Sequence, residues 1–180
     1  TAQARLAVKG VASHAGAAPD QGRNALIELS HQLLQTQDVA KGIPGAQLNW
    51  TTATAGSVRN QIPDKAEAGA DVRLLAPDAA DKLLAALRAK VAEGRRVPDT
   101  ETTVTLLVGR PPYVAGTKGM ALATKAQAIY AELDGRKLIL HPSTGGGTDA
   151  GYAGRSGKAA VLESLGLAGW GYHAKNEYIE

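Results

Sequence analysis

The residues of this 180-residue chain with most chemistry to offer are four histidines and a glycine-rich turn. His173 stands in Gly171-Tyr172-His173-Ala174-Lys175-Asn176-Glu177-Tyr178, downstream of Thr144-Gly145-Gly146-Gly147-Thr148-Asp149. A neutral imidazole after such a turn is what the last part of a metal-dependent hydrolase site would contain, because zinc takes nitrogen ligands readily. On spacing alone, with no second ligand of the usual type beside it, His173 reads as a loop histidine. His14, in Ser13-His14-Ala15-Gly16, lies almost the whole chain away, so a site using both must be assembled by folding or by association. His31 and His141 fit no pattern and read as structural or exposed.

Three further segments have both a bland and a chemical reading. Asn60, in Asn60-Gln61-Ile62-Pro63, is by default a satisfied turn amide. Arg73 closes a strand-like stretch, where an arginine is ordinarily solvated. Gly145-Gly146-Gly147-Thr148 reads as a tight turn needing positive φ, whose N–H groups and hydroxyl can also face a ligand. A dinucleotide site is excluded because no Gly-x-Gly-x-x-Gly opens a helix after a strand. Trp170 and Tyr172 read as wall packing, and Arg110 as either a hinge residue or an aid to carboxylate binding.

The elements that must position these residues follow from hydrophobic period. Residues 3–11 alternate, with Ala4, Leu6 and Val8 on one face, as in a strand covered on one side. Residues 23–37 carry Leu26, Leu29 and Leu33 at helical spacing, with Ile27 and Leu34 widening the stripe. Strands are predicted over 47–54 and 66–75, then a helix opened by Pro77-Asp78 with Asp78 as N-cap and Leu83, Leu84, Leu87 and Val91 buried. A β-branched strand covers 101–108. This β-α-β-β-α-β order is the split βαβ, ferredoxin-like plan: a four-stranded antiparallel sheet with two helices on one face. From Pro111 the pattern changes to a helix with the stripe Leu122, Ala126, Ile129 and Leu133 ended by Gly135, then strands at Lys137–His141 and Ala159–Ser164. The expected division is residues 1–110 and 111–180, the second an incomplete piece of an α/β/α layer too small to bury its own surface.

Composition narrows the function classes. The chain is 44% hydrophobic and 21% charged, and no apolar run reaches the length needed to cross a bilayer. A net charge of +3 without a basic stripe argues against nucleic-acid binding. The absence of cysteine excludes disulfides and thiolate metal sites and leaves cytoplasm and periplasm equally open. No signal-peptide pattern opens the chain, and the strand-like start is expected for an interior piece of a longer protein.

Taken in order, Ser13-His14-Ala15-Gly16, Asn60-Gln61-Ile62-Pro63, Asp71-Val72-Arg73, Gly145-Gly146-Gly147-Thr148-Asp149-Ala150 and Gly171-Tyr172-His173 with Asn176-Glu177 resemble the dinuclear-zinc exopeptidases and deacylases. That group includes glutamate carboxypeptidase, aminoacylase and succinyl-diaminopimelate desuccinylase. Val11-Ala12-Ser13-His14-Ala15-Gly16-Ala17-Ala18-Pro19 and Glu163-Ser164-Leu165-Gly166-Leu167 look most like the folate-cleaving glutamate carboxypeptidases.

The resemblance implies that residues 1–110 form the dimerisation, or lid, domain of a homodimer. His14 would reach the partner's site and stabilise an oxyanion; Asn60, Arg73, Gly147 and Thr148 would bind substrate; His173 would be a zinc ligand. The implied substrate is a small peptide or N-acyl amino acid, with glutamate release favoured, and two zinc ions are implied for the complete enzyme. The departures are as informative. Gly16, Leu33, Ser143 and Lys175 stand two places after the histidines, so no His-x-Asp pair exists, and no Glu-Glu occurs. One histidine does not hold zinc tightly, so the isolated chain is expected to be inactive and to be the lid plus the following part of a catalytic domain. The alternative is a stand-alone homodimerisation module.

Overall fold

The computed structural model describes all residues except 77, 142–145 and 167, and the side chain at 134. The elements run β1 (Ala2–Lys9), β2 (Ser13–His14), α1 (Ala25–Thr36), β3 (Ala46–Ala55), β4 (Gln61–Ile62), β5 (Lys65–Leu74), α2 (Ala79–Ala92), β6 (Glu101–Val108), α3 (Gly116–Asp134), α4 (Ala150–Ala153), β7 (Gly169–Trp170) and β8 (Tyr178–Ile179). Two compact units result, Thr1–Pro112 and Tyr113–Glu180.

In the first unit four strands form one antiparallel sheet in the order β3-β5-β1-β6. β1 and β3 flank β5, which is the split βαβ plan. Alternation decides which face is covered: Ala4, Leu6 and Val8 of β1 and Ala66, Ala68, Ala70, Val72 and Leu74 of β5 are buried. The many alanines leave room for the helices to approach closely, and Leu83 and Leu87 of α2 fill the space with no exposure. The opposite face stays polar, with Gln3, Arg5 and Lys9 exposed and Arg5 ion-paired to Glu67.

Helix α1 departs from the predicted stripe. Leu29 is buried, but Leu26, Ile27 and Leu34 are exposed at 44%, 47% and 68%, while Glu28, Gln32 and Thr36 are fully buried. The polar face wins because it is satisfied. Glu28 Oε2 accepts from the N–H groups of Arg96 and Val97 at 2.8 Å each, and Gln32 Nε2 donates to Glu28 Oε1 at 2.7 Å and to the Gly94 carbonyl at 3.1 Å. Thr36 Oγ1 accepts from Trp50 Nε1 at 3.1 Å, tying α1 to β3. Those bonds remove the penalty of burying polar groups, so the helix turns that side inward.

The start of α2 also differs. Pro77 lies outside the described residues. Asp78 occupies the N-cap position but makes no capping hydrogen bond; its Oδ2 instead pairs with Lys82 Nζ at 2.5 Å, one turn along. In the second unit α3 ends as expected at Gly135, φ 68°, whose N–H donates to the Ala131 carbonyl at 2.9 Å. Residues 137–141 and 159–164 are not strands, and the only strands described there are the paired β7 and β8. A strand needs a ladder partner, and among the described residues neither stretch has one. Ile129 and Leu133 of the predicted α3 stripe are exposed, while Ala123 is buried.

Candidate functional site

The first half of the candidate site is a small ladder at one end of the sheet. Ser13 pairs with Ile62 and His14 with Gln61 across β2 and β4. Two glycines let three chain segments stack tightly enough to hold it. A Cβ on Gly10 would lie 2.0 Å from the Arg23 carbonyl oxygen, and one on Gly22 would lie 2.5 Å from Ser13 Oγ and 2.7 Å from Ile62 Cγ2. Gly10 N–H donates to the Asp64 carbonyl at 2.7 Å, and Val11 and Arg23 exchange a pair of backbone bonds at 3.0 and 2.8 Å. Sequence reading singled out neither glycine, because close approach of segments remote in the chain leaves no local pattern.

His14 begins a turn that its own side chain caps. The Ala18 N–H donates to the His14 carbonyl at 2.9 Å, while the N–H groups of Gly16 and Ala17 donate to His14 Nδ1 at 3.2 and 3.0 Å. A side-chain acceptor receiving the second and third following N–H groups is the geometry of an N-cap. The turn-histidine reading therefore describes Nδ1 correctly, and the other ring nitrogen plays no part in it. His14 is exposed, as is Asn60, and the Ala15 N–H donates to the Asn60 carbonyl at 2.8 Å. Both residues line an open cleft of about 320 Å³ with Ala12, Ser13, Val58 and Gln61. Folding thus brings together two predicted site residues that stand far apart in the first unit's sequence.

Arg73 is not brought there. Lys9 pairs with Lys65 at the His14 end of the sheet, whereas Ala2 pairs with Val72 beside Arg73 at the other end. Eight residue steps along β5 separate Lys65 from Arg73, about 26 Å at the usual rise per residue. Arg73 Nε donates to Asp71 Oδ2 at 2.7 Å on a partly buried guanidinium, which orients it on the face of β5 that the two side chains share.

In the second unit Thr144 and Gly145 of the predicted turn lie outside the described residues, as does Leu167 further on. Gly147 is exposed, and Thr148 Oγ1 accepts from the Ala150 N–H at 3.0 Å, in a side-chain turn leading into the short α4. His173 sits in the loop joining β7 to β8 with φ 66°, an unusual backbone region for a residue with a Cβ. Its N–H donates to Glu177 Oε2 at 3.2 Å, and the Ala174 N–H donates to the Gly171 carbonyl at 2.8 Å, so backbone bonds hold the loop. Trp170 and Tyr178, at the two ends of this loop, stack with centroids 5.4 Å apart. His141 is exposed and His31 is half-buried on α1.

Among the described residues no group of three or more histidine, aspartate or glutamate side chains could hold a metal ion. Glu177, the nearest candidate partner for His173 in the sequence, is engaged with a backbone N–H. The described residues do not by themselves fit a zinc centre.

The profile of the peptidase dimerisation domain of the M20 peptidases matches residues 1–96. The chain belongs to this family. It is 43% identical over 180 residues to carboxypeptidase G2 of Pseudomonas sp. (strain RS-16), an alignment covering 99% of this chain and 43% of that protein. It is 39% identical over 74 residues to a p-aminobenzoyl-glutamate hydrolase homolog of Haemophilus influenzae, covering 41% of this chain and 18% of that one. Among solved structures, an aminopeptidase PepT from Bacillus cereus superposes with a TM-score of 0.67 at 23% identity, covering 98% of this chain and 46% of that chain. A dinuclear metal-binding peptidase of the M20 family from Bacillus subtilis gives 0.62 at 15% identity, covering 99% and 44%. The chain spans less than half the length of these relatives. The dimerisation-domain fold of the M20 family accounts for the four-stranded sheet and its two helices, and the family is one of hydrolases.

Proposed function

We propose that this chain supplies the dimerisation domain and part of the catalytic domain of a metallo-exopeptidase of the carboxypeptidase and deacylase type. The complete enzyme would hold two zinc ions, to which His173 would add one ligand, and would cleave the amide bond of a C-terminal residue, glutamate by preference, or of an N-acyl amino acid. The observation that carries the reading is the placing of His14 and Asn60 on one open cleft at one end of the sheet, with Arg73 near the other end, about 26 Å along β5 from Lys65. A small substrate does not span that distance, so the three residues serve one reaction only if they come from the two halves of a homodimer. His14 and Asn60 of one protomer then meet Arg73 of the other.

In that arrangement His14 donates to the oxygen that becomes negative as the carbonyl carbon turns tetrahedral, the moment at which a fixed donor lowers the barrier most. Arg73, oriented by Asp71, presents its guanidinium to the substrate carboxylate, and the Asn60 amide orients the same end. Gly147 and Thr148 would add backbone and hydroxyl contacts. The group that activates the attacking water is not among these residues.

The test is a chimera in which this chain replaces the matching segment of carboxypeptidase G2, assayed on p-aminobenzoyl-glutamate. His14→Ala should lower kcat by roughly 10²- to 10³-fold, the usual effect of losing an oxyanion donor, without loss of the dimer. Equal rates for the two chimeras would end the catalytic reading and leave a stand-alone homodimerisation module, for which the capping role of Nδ1 suffices.

A further inference from the structure

We infer that the turn from His14 to Ala18 is a tautomer lock, which makes His14 a hydrogen-bond donor through Nε2 and bars it from acting as a base there. The N–H groups of Gly16 and Ala17, at 3.2 and 3.0 Å, both point at Nδ1. Two N–H donors require a lone pair on that atom, and a neutral imidazole carries its single proton on the other nitrogen. Nε2 therefore bears hydrogen. The turn is itself closed by the Ala18 N–H on the His14 carbonyl at 2.9 Å and fastened to the neighbouring loop by the Ala15 N–H on the Asn60 carbonyl at 2.8 Å. The ring's acceptor atom is thus engaged by backbone, and its donor nitrogen takes no part in the turn, on a residue that lines an open cleft.

This makes Gly16 and Ala17 positioning residues that act through His14 by their backbone N–H groups. Side chains at these positions are incidental: a Cβ on Gly16 would meet His14 Cε1 at 3.6 Å and Nδ1 at 3.8 Å, ordinary contact distances. Alanine at Gly16 therefore fits, whereas proline at Ala17 removes the shorter of the two bonds. The catalytic meaning of the lock rests on the oxyanion reading above; its existence does not.

The two are tested separately. Long-range proton–nitrogen correlation spectra of the 180-residue chain, recorded at a pH of about 8.5 where an ordinary imidazole is neutral, report the tautomer of each histidine without any turnover. The lock requires His14 to show an unprotonated Nδ1 and a protonated Nε2. Gly16→Ala should leave both signals in place, and Ala17→Pro should move them toward the averaged values of a free imidazole. A protonated Nδ1 in the wild type, or averaged signals already there, overturns the inference. Should Ala17→Pro fail to fold, the wild-type and Gly16→Ala spectra decide the matter. In the chimeric enzyme Ala17→Pro should lower kcat more than it raises KM. A locked Nε2–H tautomer together with full activity of His14→Ala would keep the lock and dismiss the oxyanion role.

Discussion

The Ala15 N–H donates to the Asn60 carbonyl at 2.8 Å, and this bond joins two segments 45 residues apart into one corner of the first unit. It places His14 and Asn60 on the same cleft, and the antiparallel register of β1 with β5 carries Arg73 to the far end of the sheet. Under the reading proposed above, one protomer therefore supplies half of each of two sites.

Mixing two defective protomers tests that division. A chimera carrying His14→Ala and one carrying Arg73→Ala should each be nearly inactive. If His14 and Arg73 meet across the interface, a mixed dimer contains one intact site and one doubly damaged site. Random re-association of equal amounts, half of which gives mixed dimers, should then recover about a quarter of wild-type activity. Recovery near zero, with mixed dimers shown to form by mass spectrometry, would mean that no site combines His14 of one protomer with Arg73 of the other and would refute the sharing of each site between protomers.

The glycines that let the corner close make a graded prediction. Gly22→Ala puts a methyl group 2.5 Å from Ser13 Oγ and 2.7 Å from Ile62 Cγ2, where the serine can rotate but the branched isoleucine has little room. Overpacking of this kind costs about 1 to 3 kcal/mol. Gly10→Ala puts the methyl 2.0 Å from a backbone carbonyl oxygen, which does not rotate away, so it should cost more than Gly22→Ala. Urea unfolding gives the order, and His14 ring signals should shift in both variants. Two variants as stable as wild type would mean that the three segments are not packed as described.

Glu28 is the residue whose loss should be felt furthest from any chemistry. Its carboxylate receives the N–H groups of Arg96 and Val97 and the amide of Gln32, all while fully buried. Glu28→Ala strands those donors and leaves a hole, at a cost of about 2 to 4 kcal/mol, and should loosen the loop between α2 and β6. Glu28→Gln keeps an acceptor and should lose less. Amide hydrogen exchange at Arg96 and Val97 checks the local claim, since unchanged protection in Glu28→Ala would show that other bonds hold the loop.

What the sequence could and could not reveal follows the range of each interaction. The alternation of Ala4, Leu6 and Val8 and the spacing of Leu83 and Leu87 are local patterns, and both correctly named the buried face. The α1 stripe held at Leu29 and Leu33 but failed at Leu26, Ile27 and Leu34, because hydrophobic period assumes that apolar residues go inside, whereas Glu28 is drawn in by the N–H groups of Arg96 and Val97 and Gln32 by the Gly94 carbonyl, which no window on α1 contains. The predicted strands after Pro111 failed for a related reason: β propensity describes a side chain's fit to a sheet, and the sheet has to exist. His14 and Asn60 were legible as motifs, but their meeting on one cleft was not, because it depends on Gly10 and Gly22 at positions with no pattern of their own. The separation of Arg73 from His14 needed the register of β1 against β5.

Helix α2 offers a prediction about pH. The hydrogen bond and charge of Lys82 hold the Asp78 carboxyl below its usual value of 3.8. A carboxyl whose folded pKa is depressed binds protons more weakly than in the unfolded chain, so the pair contributes its stabilisation above the unfolded value and loses it as pH falls through the lower folded value. The loss should therefore lie below pH 3.8. Because both side chains are exposed, the effect is small and screened by salt. Carboxyl carbon shifts of Asp78 followed through an acid titration should give a midpoint below 3.8, moving up toward that value in Lys82→Ala and in high salt. A midpoint that Lys82→Ala leaves where it was would mean that the lysine is not the cause, and that the N-cap position of Asp78, not the ion pair one turn along, sets its charge.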